Sequence, residues 1–350
     1  MIYMNWYHQN VPKILGALSF LVNPIFIYLV VTKTKTQVGS YKNLLIMFSV
    51  FDILYSISEI LTPLGVQGNK HGFVVFISDG LFFEYPELGQ HAMSNRCGFI
   101  SISYALLIIH FVYRYMALFY PHKLHLFFRP IGILFLTLLM LFHAGSWTMI
   151  CQNCLAADDE VRKIVRSSFI DQYGEESNGV PMLAALYWGV RPGIQFRSWL
   201  GIILLTIISW YSMAVYFVLG YKIIHKIRCM TINRTLSATS LRLQRQLFVT
   251  LVVQTCIPIV ASFLPTVISW YAPIFGIDIG WWNTNVSTIA LAAFPCIDPL
   301  AVIILVPNYR NTLLRRPISI EPDTSGNINP PISNVVSMVR RITTIAGTAF

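Results

Sequence analysis

Charge is scarce in this chain. Lys, Arg, Asp and Glu make up 11% of its 350 residues, where an ordinary soluble domain carries about 25%. A surface so poor in charge cannot be solvated by water, which excludes a soluble globular protein. Cysteines number six, and none of their spacings forms a metal-ligand pattern. No His/Cys/Asp cluster and no nucleophile motif falls at membrane depth, so no enzyme chemistry, metal or cofactor is expected. No basic stripe interleaved with stacking aromatics lies outside the apolar runs. The net charge of +10 therefore does not point to a nucleic-acid partner. The start, MIYMNWYHQN, lacks a basic region, and no small-residue cleavage site follows. The first apolar run is expected to act as an uncleaved anchor.

What the chain has instead is apolar sequence, 55% of all residues. A bilayer core about 30 Å thick needs roughly 20 apolar residues in a helix, and seven runs qualify. They are Ile14–Val31, Asn43–Leu64, Cys97–Tyr120, Ile131–Cys151, Trp199–Tyr221, Gln246–Tyr271 and Trp282–Val306. This predicts an all-α membrane protein, a seven-helix bundle over residues 14–306, preceded by a short outer segment 1–13. Residues 307–350 follow as a tail expected to be largely disordered, because it is rich in Ser, Thr, Asn and Pro. Within that tail Arg340-Arg341-Ile342-Thr343 resembles a weak basic-directed kinase site. The apolar stretch Gly72–Phe83 is short and interrupted by Asp79, which suggests a structured outer loop.

The few charges are sorted by side. With the amino terminus outside, the inner loops hold eleven Lys and Arg residues, from Lys33 to Arg245, and no acid. The outer segments hold eight basic residues, Arg96 among them, against ten acids. Positive charge in short loops marks the cytoplasmic side, so the expected topology is amino terminus out and tail in. Asn233-Arg234-Thr235 fits a glycosylation sequon but falls inside, and Asn285-Val286-Ser287 sits at the lip of the last span. Both are expected to be unused.

Ionisable residues inside a membrane are costly and face the bundle interior. Asp52 and Glu59 are seven residues apart in the second run and share a helix face. Asp298 precedes Pro299 in the seventh, where proline frees a backbone carbonyl and permits a kink. A carboxylate there either biases which bend is adopted or makes a static hydrogen bond. Pro258 and Pro265 would bend the sixth run, as a moving hinge or a fixed curve. Asn23-Pro24 resembles a packing node. Arg114 ends the third run in HFVYRYMALFYP. It reads either as a snorkelling arginine or, with Tyr115 beside it, as a latch on the coupling surface.

Five segments in order resemble the nematode seven-transmembrane chemoreceptors of the Str class, the group containing the diacetyl odorant receptor. They are KNLLIMFSVFDILYSISEI, HGFVVF, HFVYRYMALFYP, QLFVTLVVQTCIPIVASFLPT and PCIDPLAVIILVPNYR, and the resemblance covers most of residues 20–310. It implies a plasma-membrane receptor on the cilia of chemosensory neurons, which detects an odorant or other small, lipophilic cue and activates a heterotrimeric G protein. Two positions depart from the larger rhodopsin-like pattern: Tyr113 stands where an acid usually precedes the arginine, and Val302 where a tyrosine follows the proline. Seven-helix receptors commonly tie the third helix to the second outer loop, which suggests Cys97–Cys154, with Cys151 as the other possible partner. Helix bundles bind small molecules between their outer halves. The candidate liners are Phe99, Ser103 and Tyr104, then Trp210 and Tyr211, then Phe263 and Trp270. A transporter or channel with an acidic pathway through Asp52, Glu59 and Asp298 is the alternative. It would show inverted repeats, and none is visible.

Overall fold

The computed structural model describes residues 2, 4–33, 40–69, 71–233, 238–277 and 286–314. Seven helical segments are long and apolar enough to cross a membrane, as the hydropathy pattern predicts. They are α1 (Trp6–Lys33), α2 (Tyr41–Leu61), α3 (Pro86–Phe119), α4 (Pro130–Ile150) and α6 (Pro192–Ile232), then a composite sixth span and α9 (Thr288–Leu305). The sixth span is α7 (Ala238–Pro258), a π-helical turn over Ile259–Phe263 and α8 (Leu264–Tyr271). A short helix, α10 (Pro307–Leu313), follows the last span where the sequence reading had only tail. Arg234 and Thr235, Asn285, and the tail expectations beyond residue 314 lie outside the described residues.

Helix starts follow local chemistry. Prolines open α3, α4 and α6, at the first-turn position where the missing N–H costs nothing. Several spans run past their expected ends, because the apolar criterion stops at the bilayer while the hydrogen-bond ladder does not. The third begins eleven residues before Cys97, and the fifth continues to Ile232. Most of the stretch between the fifth and sixth runs, Lys222–Arg245, expected as an inner loop, is therefore helical extension of α6 and α7. The first span begins at Trp6, within the segment expected to precede it.

The outer loops fold into a cap. Strands β1 (Leu64–Asn69), β2 (Gly72–Ile77) and β3 (Met182–Leu186) form an antiparallel sheet in that order. The structured-loop expectation for Gly72–Phe83 thus resolves into a strand and a 3-10 turn over Leu81–Phe83. An amphipathic helix, α5 (Asp159–Tyr173), lies on the sheet. Asp158 caps it, accepting from the Val161 N–H at 2.9 Å, and Gly174 ends it at φ 69°, a left-handed conformation that glycine adopts without strain. Val161, Val165 and Phe169 pack on Val74, Phe76, Met182 and Leu186, with Ile2 and Met4. On the solvent side Arg166 forks onto Glu176 at 2.6 and 2.7 Å and holds that carboxyl below its ordinary range.

The main core lies between the spans, and their outward faces are apolar. Ile131 is 82% and Phe135 73% exposed, which only a lipid surface makes tolerable.

Candidate functional site

The deepest polar contacts arise where proline breaks a helix ladder. Pro299 has no N–H to give to the carbonyl of Pro295, four residues back. The side chain of Asn23 supplies the bond instead, donating to Pro295 O at 2.9 Å, and the Ser19 hydroxyl assists at 3.4 Å. This ties α1 to α9 and gives the packing-node expectation for Asn23 a concrete partner. One residue from that kink, Asp298 is buried, and its Oδ2 accepts from Gln254 of α7 at 3.1 Å. Asp52 on α2 is fully buried, and its Ser56 neighbour bonds back to its carbonyl. Among the described residues neither carboxylate oxygen of Asp52 nor Oδ1 of Asp298 has a hydrogen-bond partner.

Gln254 also sits four residues before Pro258, so its own carbonyl is the one that proline frees. The π-turn Ile259–Phe263 begins immediately after. Local π geometry of this kind recurs at functional sites. The sixth span is thus interrupted where Pro258 suggested, by a changed hydrogen-bond register rather than a simple bend.

Arg114 does not snorkel. It is 2% exposed, its guanidinium lies 5.1 Å from the Tyr41 ring, and its Nη2 donates to the Gln244 carbonyl of α7 at 3.2 Å. Tyr113 fills the place of the usual acid by packing on Tyr41 and, edge-on, on Phe127. The inner end of the sixth span is therefore held by a backbone carbonyl and a ring in place of an ion pair. Tyr115 points away from this contact and stacks on Phe119 at 4.5 Å.

The structure divides the expected ligand liners. Tyr104 and Phe263 line one small cavity of about 10 Å³ between α3, α6 and the sixth span, barely room for a water molecule. Leu107, Ser209, Ser212, Met213, Tyr216, Pro258 and Ile259 complete it. Trp270 is buried nearby, its ring 6.0 Å from Trp147, and its carbonyl accepts from Tyr187 of the cap at 2.9 Å. Ser103 is buried and spends its hydroxyl on Ile100 O. Phe99 stacks on Phe51 between α2 and α3. Two expectations are corrected. Trp210 is 58% and Tyr211 45% exposed, because α6 turns its other face inward. The neighbours Ser209, Ser212, Met213 and Tyr216 hold the interior positions. Helical spacing around Ser209, i+3, i+4 and i+7, carries that face and marked it in advance.

Cysteine geometry corrects another expectation. Cys97, Cys151 and Cys154 are free thiols, so the Cys97–Cys154 bridge is not formed. The thiol next to Cys97 is that of Cys151. Cys154 faces α6, where a Cβ on Gly201 would come within 2.8 Å of its own. A π-helical turn at Cys151–Leu155 rotates the two cysteines apart.

The sequence counts Arg96 with the outer loops, but the structure places it inside the bundle. Its Nη2 pairs with Glu59 Oε2, and its guanidinium lies 4.0 Å over Tyr55. Glu59 is therefore a static ion-pair partner rather than a lone intramembrane acid. Removing Arg96 from the outer count leaves seven bases against ten acids, which sharpens the charge asymmetry. No group of three or more His, Cys, Asp or Glu side chains suited to a metal occurs among the described residues.

Comparison with known proteins decides what such a bundle is. The family model described as serpentine type 7TM GPCR chemoreceptor Srj matches residues 2–313. This chain belongs to that family. It is 33% identical to serpentine receptor class J-38 of Caenorhabditis elegans, over 88% of this chain and 93% of that protein. It is 29% identical to serpentine receptor class r-10 of the same organism, over 85% and 87%. The G-protein coupled receptor str-217 aligns at 25%, over 88% and 89%. The chemoreceptor expectation is met. The class is Srj, and the Str class expected from the five segments contributes relatives at lower identity. The protein is a multi-pass membrane receptor of a family that couples chemical cues to G proteins, a receptor family and not an enzyme family.

Proposed function

We propose that this Srj receptor binds a small lipophilic cue between α3, α6 and the sixth span, and that binding there drives the hinge of that span. One observation carries the reading: the cavity that holds Tyr104 and Phe263 is also lined by Pro258 and Ile259, the residues of the hinge. A ligand pocket needs roughly 300 Å³ or more, so occupancy must part the side chains packed against the π-turn. Gln244 lies fourteen residues inward of Pro258. At 1.5 Å per residue that is a lever of about 21 Å, and a rotation of about 10° displaces its end by roughly 4 Å. That exceeds what the Arg114–Gln244 hydrogen bond can follow. Release frees Arg114 for the G protein, and the Gln254–Asp298 hydrogen bond, next to Pro299, is a second contact that the same motion strains. Asp52 lies beside them.

The chemistry of the lining suggests the ligand class. Ser209 and Ser212 bond to their own helix, and the Tyr216 hydroxyl donates to Tyr104 O at 2.8 Å. The Tyr104 hydroxyl is only loosely engaged, 3.4 Å from Ser262 Oγ. An apolar molecule with one hydrogen-bond acceptor fits that arrangement. The charge asymmetry of the loops supports an outside amino terminus, which an epitope tag after Met1 tests. Staining only after permeabilisation overturns it. Ciliary placement is carried by family resemblance.

Arg114→Ala tests the mechanism. Cells expressing the receptor with a G protein are scored for calcium or cAMP at matched surface level. Strong loss of activation with nearly normal insertion is expected, because eleven inner-loop charges still set topology. Normal signalling would reduce Arg114 to a packing residue.

A further inference from the structure

Three lysines at the inner end of the bundle have ring partners and no acidic ones. Lys222 lies 5.8 Å from the Tyr115 ring and Lys226 5.3 Å from the Phe119 ring, across the junction of α6 and α3. Lys123, on the 3-10 segment after α3, lies 5.9 Å from the Tyr120 ring. The rings form one cluster, with Tyr115 stacked on Phe119 and set edge-on to Tyr120. Each ammonium is within reach of a ring face, which attracts cations without neutralising them. No ion pair of a described residue involves any of these lysines, and the inner loops contain no acid.

The lysines also sit on a lipid-facing row. Lys222 and Lys226 are one turn apart on α6, and one turn toward the bilayer from Lys222 is Val218, 54% exposed. Phe217 and Tyr221 flank it at 67% and 71% exposure. Acyl chains therefore run along the surface that ends at the two ammoniums. Residues i and i+4 place those charges about 6 Å apart along the axis. Each ammonium has three donors, and a ring face uses none of them fully.

We infer that the inner ends of α3 and α6 form a site for the phosphorylated headgroup of an inner-leaflet phosphoinositide. Lys222 and Lys226 donate to its phosphates, Lys123 closes the rim, and the Tyr115–Phe119 stack holds the lysines extended toward it. Single-phosphate lipids engage fewer of these donors and bind more weakly. The site lies outside the Arg114–Gln244 contact. It rests on the proposed orientation only for which leaflet supplies the lipid.

The test uses the full-length receptor in neutral phosphatidylcholine nanodiscs, with a fluorescent phosphatidylinositol bisphosphate as probe in both leaflets. Binding there does not depend on orientation, so a failure of the topology reading and a failure of this site are distinguishable. Each surface lysine contributes about a fivefold gain in affinity for an anionic headgroup, so Lys222→Gln with Lys226→Gln should weaken binding about thirtyfold. The control, Lys42→Gln with Arg129→Gln, removes the same charge elsewhere on the inner side and should cost under about threefold. Phosphatidylserine should compete poorly, and soluble inositol trisphosphate more poorly still. Equal losses in the two double variants would reduce the site to diffuse electrostatics and overturn the inference. Soluble headgroup competing as well as the lipid would overturn the lipid assignment. Unchanged lipid binding with lost G-protein coupling in the Lys222/Lys226 variant would reassign the patch to the protein partner.

Discussion

Replacing Arg96 with alanine should be among the most damaging single changes in this receptor. The Arg96 side chain is 1% exposed and that of Glu59 7%, so solvent screens neither. Breaking such a pair by removing one partner typically costs about 3–5 kcal/mol, because the surviving charge is left buried and uncompensated. The contact with Tyr55 at 4.0 Å adds about 2 kcal/mol when desolvated. The terms overlap, so a loss of about 3 kcal/mol is the floor. At roughly 2–4 °C per kcal/mol, the denaturation midpoint of the purified receptor in nanodiscs should fall by about 6 °C or more. Glu59→Gln should fall comparably, since it strands the guanidinium.

The double variant Glu59→Leu with Arg96→Met separates electrostatics from packing. Apolar replacement of an entire buried pair is often neutral or stabilising, so it should recover most of the loss. With the matching single variants Glu59→Leu and Arg96→Met at about 3 kcal/mol each and the double at about 1 kcal/mol, the coupling energy should reach about 5 kcal/mol, well above the roughly 0.5 kcal/mol expected of independent sites. Two results would sink the reasoning. An Arg96→Ala receptor within about 1 kcal/mol of wild type would mean that water reaches the pair. A double variant as weak as either single one would mean that shape, not charge, is what the site supplies.

Other consequences follow from the same contacts. Asn23→Leu should cost about 1–3 kcal/mol by orphaning the Pro295 carbonyl, and the cost should shrink in a Pro299→Ala background, where the restored N–H takes over. An unchanged penalty in that background would show that Asn23 acts by packing alone. Tyr104→Phe should weaken the response to an acceptor-bearing agonist about fivefold, one neutral hydrogen bond's worth, whereas Tyr211→Ala, at an exposed residue off the cavity lining, should leave potency unchanged. Dose–response curves at matched surface level decide both, and a potency loss with Tyr211→Ala would place the ligand outside the α3–α6 cavity.

Seven spans, their order and the asymmetry of charge were legible in the sequence because each depends on composition over a long window. Hydrocarbon tolerates few charges, so the span positions follow from their absence. The residues inside each span were legible to different degrees. Asn23, Asp52 and Asp298 stood out because a polar group in an apolar run must face inward. Arg96 did not, since it sits at the edge of its run, where a single charge is equally compatible with a loop. Only the eleven-residue extension of α3 toward the cap makes it internal. Trp210 and Tyr211 misled for a related reason. Aromatics are at home against both lipid and protein, so their type says nothing about which face they occupy. The small polar residues Ser209 and Ser212, one helical stripe over, carried the information.

The prolines of the sixth and seventh spans gain meaning from the side chains that answer them. Pro299 frees a carbonyl that Asn23 binds from α1, so that break is filled and rigid. Pro258 frees the carbonyl of Gln254, and Gln254 spends its amide on Asp298 instead. The register is absorbed by a π-turn that faces the cavity. A filled break anchors a helix, and an absorbed one leaves it room to turn. In the proposed mechanism the seventh span is therefore the fixed wall and the sixth the moving part. Both contacts holding the moving part, Gln254 to Asp298 and Gln244 to Arg114, lie on the inner side of the hinge. With Pro258 as the pivot, a rotation of about 10° moves Gln244, about 21 Å inward, by roughly 4 Å and Gln254, about 6 Å inward, by roughly 1 Å, so the Arg114 contact is the first to part. In that mechanism each receptor switches between a held and a released state, since neither contact can lengthen gradually within a close-packed bundle, while a single ligand site keeps the response of the population graded.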